Sequence, residues 1–303
     1  MRRRRKGLDL FLYLAARVIV TLPAPLVKRV LKVVCYLIVM SNLRLKKTIF
    51  HNLSFLFPQK GLLKKRRLAQ KIIFNAAWNI YRNNRLHRGN WAKKLTRVEG
   101  RENLENAWEK RKGVICLSAH LGNFGVLLSY LSCNYPVKTI TNDSTNPYFA
   151  RHVRKIRELS GIVGIPRRPI FHSVKESLRW LQAGNILFIL ADEYRRKGVL
   201  VPFFGIPVGT QTAPAAFARR LGSPVVPVTI GKRGEEYIIR IEPELKLVYS
   251  HNYQEDIKRN TELFNRVIER WIKEDPEEWL GWMNRRFLAP KRRRDEKKTE
   301  ESR

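Results

Sequence analysis

Apolar residues in this chain come in runs of two kinds. Two long runs open it, residues 8–22 and 26–40, parted by Pro23 and Pro25. Both fall short of the roughly 20 residues a helix needs to cross a hydrocarbon core. Asp9 and Arg17 interrupt the first; Lys28, Arg29 and Lys32 interrupt the second. The pattern predicts two amphipathic or re-entrant helices lying at a membrane interface. An ordinary helical hairpin facing a core is the other reading. Residues 41–88 are basic and helical in pattern, with Leu68, Ile72, Ile73, Ala76, Ala77 and Ile80 at helical spacing after Lys64-Lys65-Arg66-Arg67.

From residue 113 the pattern changes. Short apolar runs at 114–119, 137–140, 186–191 and 224–230 read as strands, with a further strand at 236–241. Between them, 124–131, 148–159, 172–182 and 213–221 read as helices, the last two closed by Gly184 and Gly222. Residues 260–274 form a final helix. Strands alternating with helices predict an α/β fold: a mostly parallel central sheet flanked by helices. The N-terminal helical hairpin is expected to be membrane-associated. The organisation follows as 1–45, basic and apolar helices; 46–290, the α/β domain; and 291–303, a charged and disordered tail.

Charge sharpens this picture. Sixty Lys+Arg against 26 Asp+Glu give +34, a field that attracts polyanions of any kind. The aromatics do not interleave with the basic runs as a base-stacking platform would, so nucleic acid is not the expected partner. Anionic membrane lipids are, with the cation-rich start of the chain on the cytoplasmic side. Cys35, Cys116 and Cys133 include no C-x-x-C pair and are odd in number, which argues against a disulfide framework or zinc site.

Ligands of open α/β sheets sit at the carboxyl ends of strands. His120 follows the 114–119 run, and Asp192 and Glu193 follow the 186–191 run. If those strands are neighbours, a histidine and two acids converge, as proton abstraction from a hydroxyl requires. Gly122 permits a tight turn and Asn123 suits a helix cap, so helix N–H groups near His120 are candidates for holding a phosphate or an oxyanion. The alternatives are a hydrogen-bonded histidine at a strand–helix junction, and a salt bridge from Asp192 to Arg195 or Arg196. Cys116 reads as core, and no Gly-x-Ser-x-Gly elbow is present.

The segment His120-Leu121-Gly122-Asn123-Phe124 resembles the catalytic block of the lysophospholipid acyltransferase superfamily, in the branch of bacterial lipid A biosynthesis (lauroyl/myristoyl) acyltransferases. Four more blocks match in order: Ser144-Thr145-Asn146-Pro147-Tyr148; Ala191-Asp192-Glu193 with Arg195-Arg196-Lys197-Gly198-Val199; Val201-Pro202-Phe203-Phe204-Gly205 with Thr210 and Pro214; and Pro276-Glu277-Glu278-Trp279-Leu280 with Arg285-Arg286. The resemblance covers roughly residues 10 to 288. It departs in one place: the superfamily pattern is His-x4-Asp/Glu, and here the fifth residue after His120 is Gly125.

The resemblance implies transfer of a fatty acyl group from an acyl carrier thioester, acyl carrier protein rather than coenzyme A, to a hydroxyl of a lipid A precursor or related lipid. It implies His120 as base, no acyl-enzyme and no cofactor, at the cytoplasmic face of the bacterial inner membrane. With Gly125 in place of the motif acid, either Asp192 or Glu193 replaces it from the next strand end, as the strand-end argument favours, or the histidine works with weak assistance only. A non-catalytic lipid-binding protein on the same scaffold is the rival reading. Arg151, Arg154, Arg195 and Arg196 become candidates for a lipid phosphate, a sugar-acid carboxylate or an acidic carrier. Phe203, Phe204 and Gly205 either line an acyl-chain groove or plug the core. Trp279 and Trp282 read as core more than as interface anchors.

Overall fold

The computed structural model describes residues 19, 21–85, 96–142, 147–234, 236–284 and 287. Three helices come first: α1 (Ala24–Met40), α2 (Arg44–Leu56) and α3 (Leu62–Asn83). The continuous helical stretch expected over 41–88 is thus two helices. Pro58 and Gly61 fall in the break, where a ring without an N–H and a residue without a Cβ both disfavour helix. The first of the two N-terminal runs lies largely outside the described residues. The second is α1, which buries Val27, Cys35 and Val39. Its packing is partly that of a core helix: Val27 joins a small cluster with Trp78 and Tyr81 of α3. Its outward side keeps Leu26, Val30, Val33, Leu37 and Met40 exposed. Among the described residues no helix is long and apolar enough to cross a membrane.

The α/β body follows: β1 (Thr96–Glu99), α4 (Arg101–Glu109), β2 (Val114–Ser118), α5 (Phe124–Asn134), β3 (Val137–Thr141), α6 (Pro147–Leu159), β4 (Val163–Pro166) and α7 (Ile170–Gln182). Then come β5 (Ile186–Leu190), a hairpin of β6 (Tyr194–Phe203) and β7 (Ile206–Thr210), α8 (Ala213–Leu221), β8 (Val225–Arg233), β9 (Glu236–Ile241) and α9 (Tyr253–Glu274), with short 3-10 turns at Pro276–Glu278 and Leu280–Met283. The seven-stranded sheet runs β1-β9-β8-β2-β5-β3-β4. All neighbours are parallel except β8 and β9. The mostly parallel sheet flanked by helices is as expected.

Strand alternation divides the interior in two. Ile115, Leu117, Leu187 and Ile189 point to one face and pack with α1, α2, α3, α8, α9 and the β6–β7 hairpin. Val114, Cys116, Ile186 and Phe188 point to the other and pack with α4 and α5. A parallel strand buried on both faces carries unbroken apolar sequence, which is why β2 and β5 were legible. β1, α4, β4 and the hairpin were not expected as elements. Helix α4 turns only Leu104 and Ala107 inward, too few for a periodic signal. Helix α9 begins earlier than expected because its first turn is polar. There Asn252 accepts a hydrogen bond from the Glu255 N–H at 3.1 Å, and Glu255 and Asp256 face the positive helix end.

Candidate active site

The centre of the sheet sets the site. Between β2 and β3 the chain leaves a gap that β5 fills, so β2 and β5 are parallel neighbours with Ser118 opposite Leu190. The register continues past the strands, where the Ala191 N–H donates to the Ser118 carbonyl at 2.8 Å. Two residues on from the Ser118–Leu190 pair lie His120 and Asp192. Asp192 Oδ1 accepts from the His120 backbone N–H at 3.1 Å and lies 2.8 Å from His120 Nδ1. Asp192 Oδ2 accepts from Trp279 Nε1–H at 2.8 Å. The Asp192 side chain is 2% exposed and that of His120 26%.

This geometry fixes the electrostatics. Burial alone would raise the Asp192 carboxyl. The His120 charge outweighs it, together with hydrogen bonds from His120, Trp279 and the backbone, and holds it down to about 2. Burial pushes the His120 imidazole down, but the Asp192 charge and hydrogen bond, with a smaller contribution from Glu193, leave it above its ordinary value. An ionised Asp192 accepts the Nδ1 proton, so the lone pair of the neutral ring lies on Nε2. The edge-to-face contact with Phe124, ring centroids 5.3 Å apart, steadies the imidazole further.

His120 lines a cavity of about 760 Å³. Ile140, Val153, Ile170, Val174, Ile189 and Phe217 give it apolar wall; Arg157, Arg167 and Arg195 give it cations. Gln211 closes one side, its Nε2 donating to the Leu190 carbonyl at 2.6 Å. A space of this size, mostly apolar with a few convergent polar groups, suits an amphiphilic ligand.

The loop that carries His120 is fixed by residues 278–280. Leu280 N–H donates to the His120 carbonyl at 2.8 Å, and Gly122 N–H donates to the Glu278 carbonyl at 3.1 Å. Leu121 and Trp279 form an isolated antiparallel bridge. Gly122 adopts φ 61°, the left-handed region, and a Cβ there would lie 2.3 Å from the Ile230 carbonyl oxygen.

Several candidate residues are placed differently from expectation. Glu193 does not join the histidine. Its Oε2 lies 2.6 Å from Arg195 and 3.5 Å from Arg167, because consecutive residues at a strand end point apart. The arginine partner once open to Asp192 is therefore taken by Glu193. Asn123 caps α5, accepting from the Val126 N–H at 3.3 Å, and is buried. With Gly122 N–H also committed, those two donors are spent inside the protein and not on a ligand. Arg151 and Arg196 are exposed and line no part of the His120 cavity; Arg154 lines a neighbouring one. The helical cation in the His120 cavity is Arg157, one turn further on from Arg154.

Phe203 is fully buried against Trp279 and Phe287. Phe204 (φ 52°) and Gly205 (φ 74°) form the tight turn of the β6–β7 hairpin. None of these three lines the His120 cavity, and Phe203 fills the core. Trp279 is core, as favoured, but its N–H also anchors Asp192. Sequence reasoning missed that role, as it missed Arg167 and Gln211, which follow the short strands β4 and β7 that the apolar pattern did not reveal; Arg157 was among the helix cations open to a lipid anion, with no signal to set it apart from Arg151, Arg154 and Lys155. At Gly125 a Cβ would lie 2.6 Å from the Asn83 side chain of α3, which would have to turn away to admit a side chain there.

Comparison with known proteins agrees. None of the curated proteins matches the chain. Among solved structures, the crystal structure of the 1-acyl-sn-glycerophosphate (LPA) acyltransferase PlsC from Thermotoga maritima is similar, at 15% identity and TM-score 0.38, covering 82% of this chain and 97% of that one. A family model described as bacterial lipid A biosynthesis acyltransferase matches residues 1–289. Because that match spans nearly the whole chain, this protein belongs to the bacterial lipid A biosynthesis acyltransferase family.

Proposed function

We propose that this acyltransferase moves a fatty acyl group from an acyl carrier thioester to a hydroxyl of a lipid A precursor, at the cytoplasmic face of the bacterial inner membrane. The observation that carries the reading is the pair of His120 and buried Asp192 at the edge of a largely apolar cavity bearing three arginines. His120 Nε2 takes the acceptor hydroxyl proton while Asp192 stabilises the imidazolium. The alkoxide attacks the thioester carbonyl, the tetrahedral adduct collapses, and the C–S bond breaks. The imidazolium returns its proton to the departing thiolate, so no acyl-enzyme forms and no cofactor is consumed. Arg157, Arg167 and Arg195 would hold an acceptor phosphate or carboxylate, the last two sharing their charge with Glu193 in the same cavity wall.

Membrane contact is assigned to α1 and the run before it. The outward stripe Leu26, Val30, Val33, Leu37 and Met40 recurs every three to four residues and is exposed, which suits an interfacial helix. The test is acyl transfer by detergent-purified protein. Labelled acyl carrier protein thioester is offered with a lipid A precursor and, separately, with a lysophospholipid. Transfer to the lipid A precursor, lost in His120→Ala, is expected. Transfer to neither lipid, with both substrates still bound, would replace this reading by a non-catalytic lipid-binding one.

A further inference from the structure

Behind the loop that carries His120 lies a second cavity, of about 240 Å³. His120 lines the first cavity; Gly122 and Asn123 line the second. From its chemistry we infer that the second cavity binds a phosphate-bearing anion, of the kind a phospholipid headgroup carries.

Three lysines from distant parts of the sequence line it: Lys28 and Lys32 from α1, and Lys232 from β8. Lys28 and Lys32 are one helical turn apart and so share a face. Lys28 Nζ stands 5.1 Å from the centre of the Trp78 ring, which holds its charge at the cavity wall. Trp78 and Tyr237 line the wall as rings, a surface suited to the apolar part of a lipid headgroup region. Glu278 is the one acid among the lining residues, against three lysines. Its Oε1 already accepts from Asn75 at 2.8 Å. Burial, with Asp275 and Glu277 beside it, pushes its carboxyl up to about 7. Among the described residues the lining carries three lysines against one carboxyl, a balance whose electrostatic complement is an anion.

The location gives the site a consequence. Asn79, also in the wall, donates to the Gly122 carbonyl at 3.1 Å, and the Glu278 carbonyl accepts from Gly122 N–H at 3.1 Å. An anion bridging Lys28 and Lys232 ties α1 to β8 across a cavity whose wall includes Gly122 and Asn123 of the loop that carries His120. Occupancy therefore stabilises the folded loop by mass action, and a lipid surface engaged by α1 is sensed there. The inference does not rest on acyl transfer: the site would bind whether or not the enzyme turns over.

The experiment uses the full chain carrying His120→Ala in non-ionic detergent. It is titrated calorimetrically with dihexanoyl phosphatidylglycerol below its micellar concentration, with inorganic phosphate, and with dihexanoylglycerol. Phosphatidylglycerol should bind and dihexanoylglycerol should not. Adding Lys28→Gln and Lys232→Gln should weaken binding by about tenfold or more, the scale of a lost charge-assisted contact. Lys232→Gln alone, at an exposed strand position, should show part of that loss without disturbing the fold, and Lys28→Arg should bind as the parent does. Arg157→Gln with Arg167→Gln, in the first cavity, should leave this binding intact. Affinity should fall as pH rises through 7, as Glu278 ionises among Lys28, Lys32, Lys71, Lys232, Asp275 and Glu277. Inorganic phosphate binding with the same lysine dependence would identify a free anion as sufficient; phosphatidylglycerol alone would identify the headgroup. No binding of either probe, equal binding after the lysine changes, or loss through Arg157 and Arg167 would each overturn the inference.

Discussion

Two segments of this chain carry family motif residues and meet opposite fates. At the carboxyl ends of β2 and β5, His120 and Asp192 leave the sheet in register and face one another beside a cavity. At the turn of the β6–β7 hairpin, Phe203 enters the core while Phe204 and Gly205 merely reverse the chain. The first holds reactive groups in place with buried hydrogen bonds. The second fills volume beneath it: Phe203 packs on Trp279, whose N–H holds Asp192. Motif residues at the sheet's carboxyl edge are paired beside a cavity; on the hairpin below it, Phe203 packs in the core.

Substitutions test that division. The largest expected effect is His120→Ala. It should lower kcat by about 10²–10⁴-fold, the usual share of a general base. Asp192→Asn should follow. It removes the charge that holds the imidazole up, so kcat should fall by about 10²-fold or more. The acid limb of the pH–rate profile should move to lower pH, since the base form of a histidine with a lowered pKa survives to more acidic conditions. An unmoved limb would mean that Asp192 does not set the histidine.

The hairpin should respond in the opposite currency. Phe203→Ala should cost about 3–5 kcal/mol of stability by leaving a cavity in the aromatic cluster, read from urea denaturation. Whatever folded protein remains should keep the parent pH profile. Gly125→Ala should cost about 1–3 kcal/mol by pushing into Asn83, and Asn83→Ala in the same chain should restore most of it. The smallest effect belongs to Glu193→Gln, a half-exposed partner of Arg195, with stability changed by about 0–1 kcal/mol and activity by less than about threefold. A Glu193→Gln loss equal to that of Asp192→Asn would erase the distinction between the two acids.

Much of this was legible beforehand. Unbroken apolar runs marked β2 and β5 because both of their faces are buried, and His120 and Asp192 could be located as the first polar residues beyond them. The helix over 213–221 was readable from Pro214 and Gly222, which start and stop it by fixed backbone preference. Other parts carried no such signal. Arg154 and Arg157 stand three apart on one polar helix, and only the packing of α6 turns Arg157 into the His120 cavity. The choice between Asp192 and Glu193 was equally closed, since either acid could have faced the histidine before the register was known.

By itself, then, the sequence determined the alternation of strands and helices, the strand ends that bear reactive groups, and the basic field around them. Each of these depends on local pattern: burial on two faces, a turn residue, a count of charges. Only the tertiary structure decided that β5 inserts beside β2, that Trp279 comes back across the chain to hold Asp192, and that α3 sets Asn83 against Gly125. Those outcomes depend on contacts between residues far apart in sequence, whose energies belong to pairs and not to either residue alone.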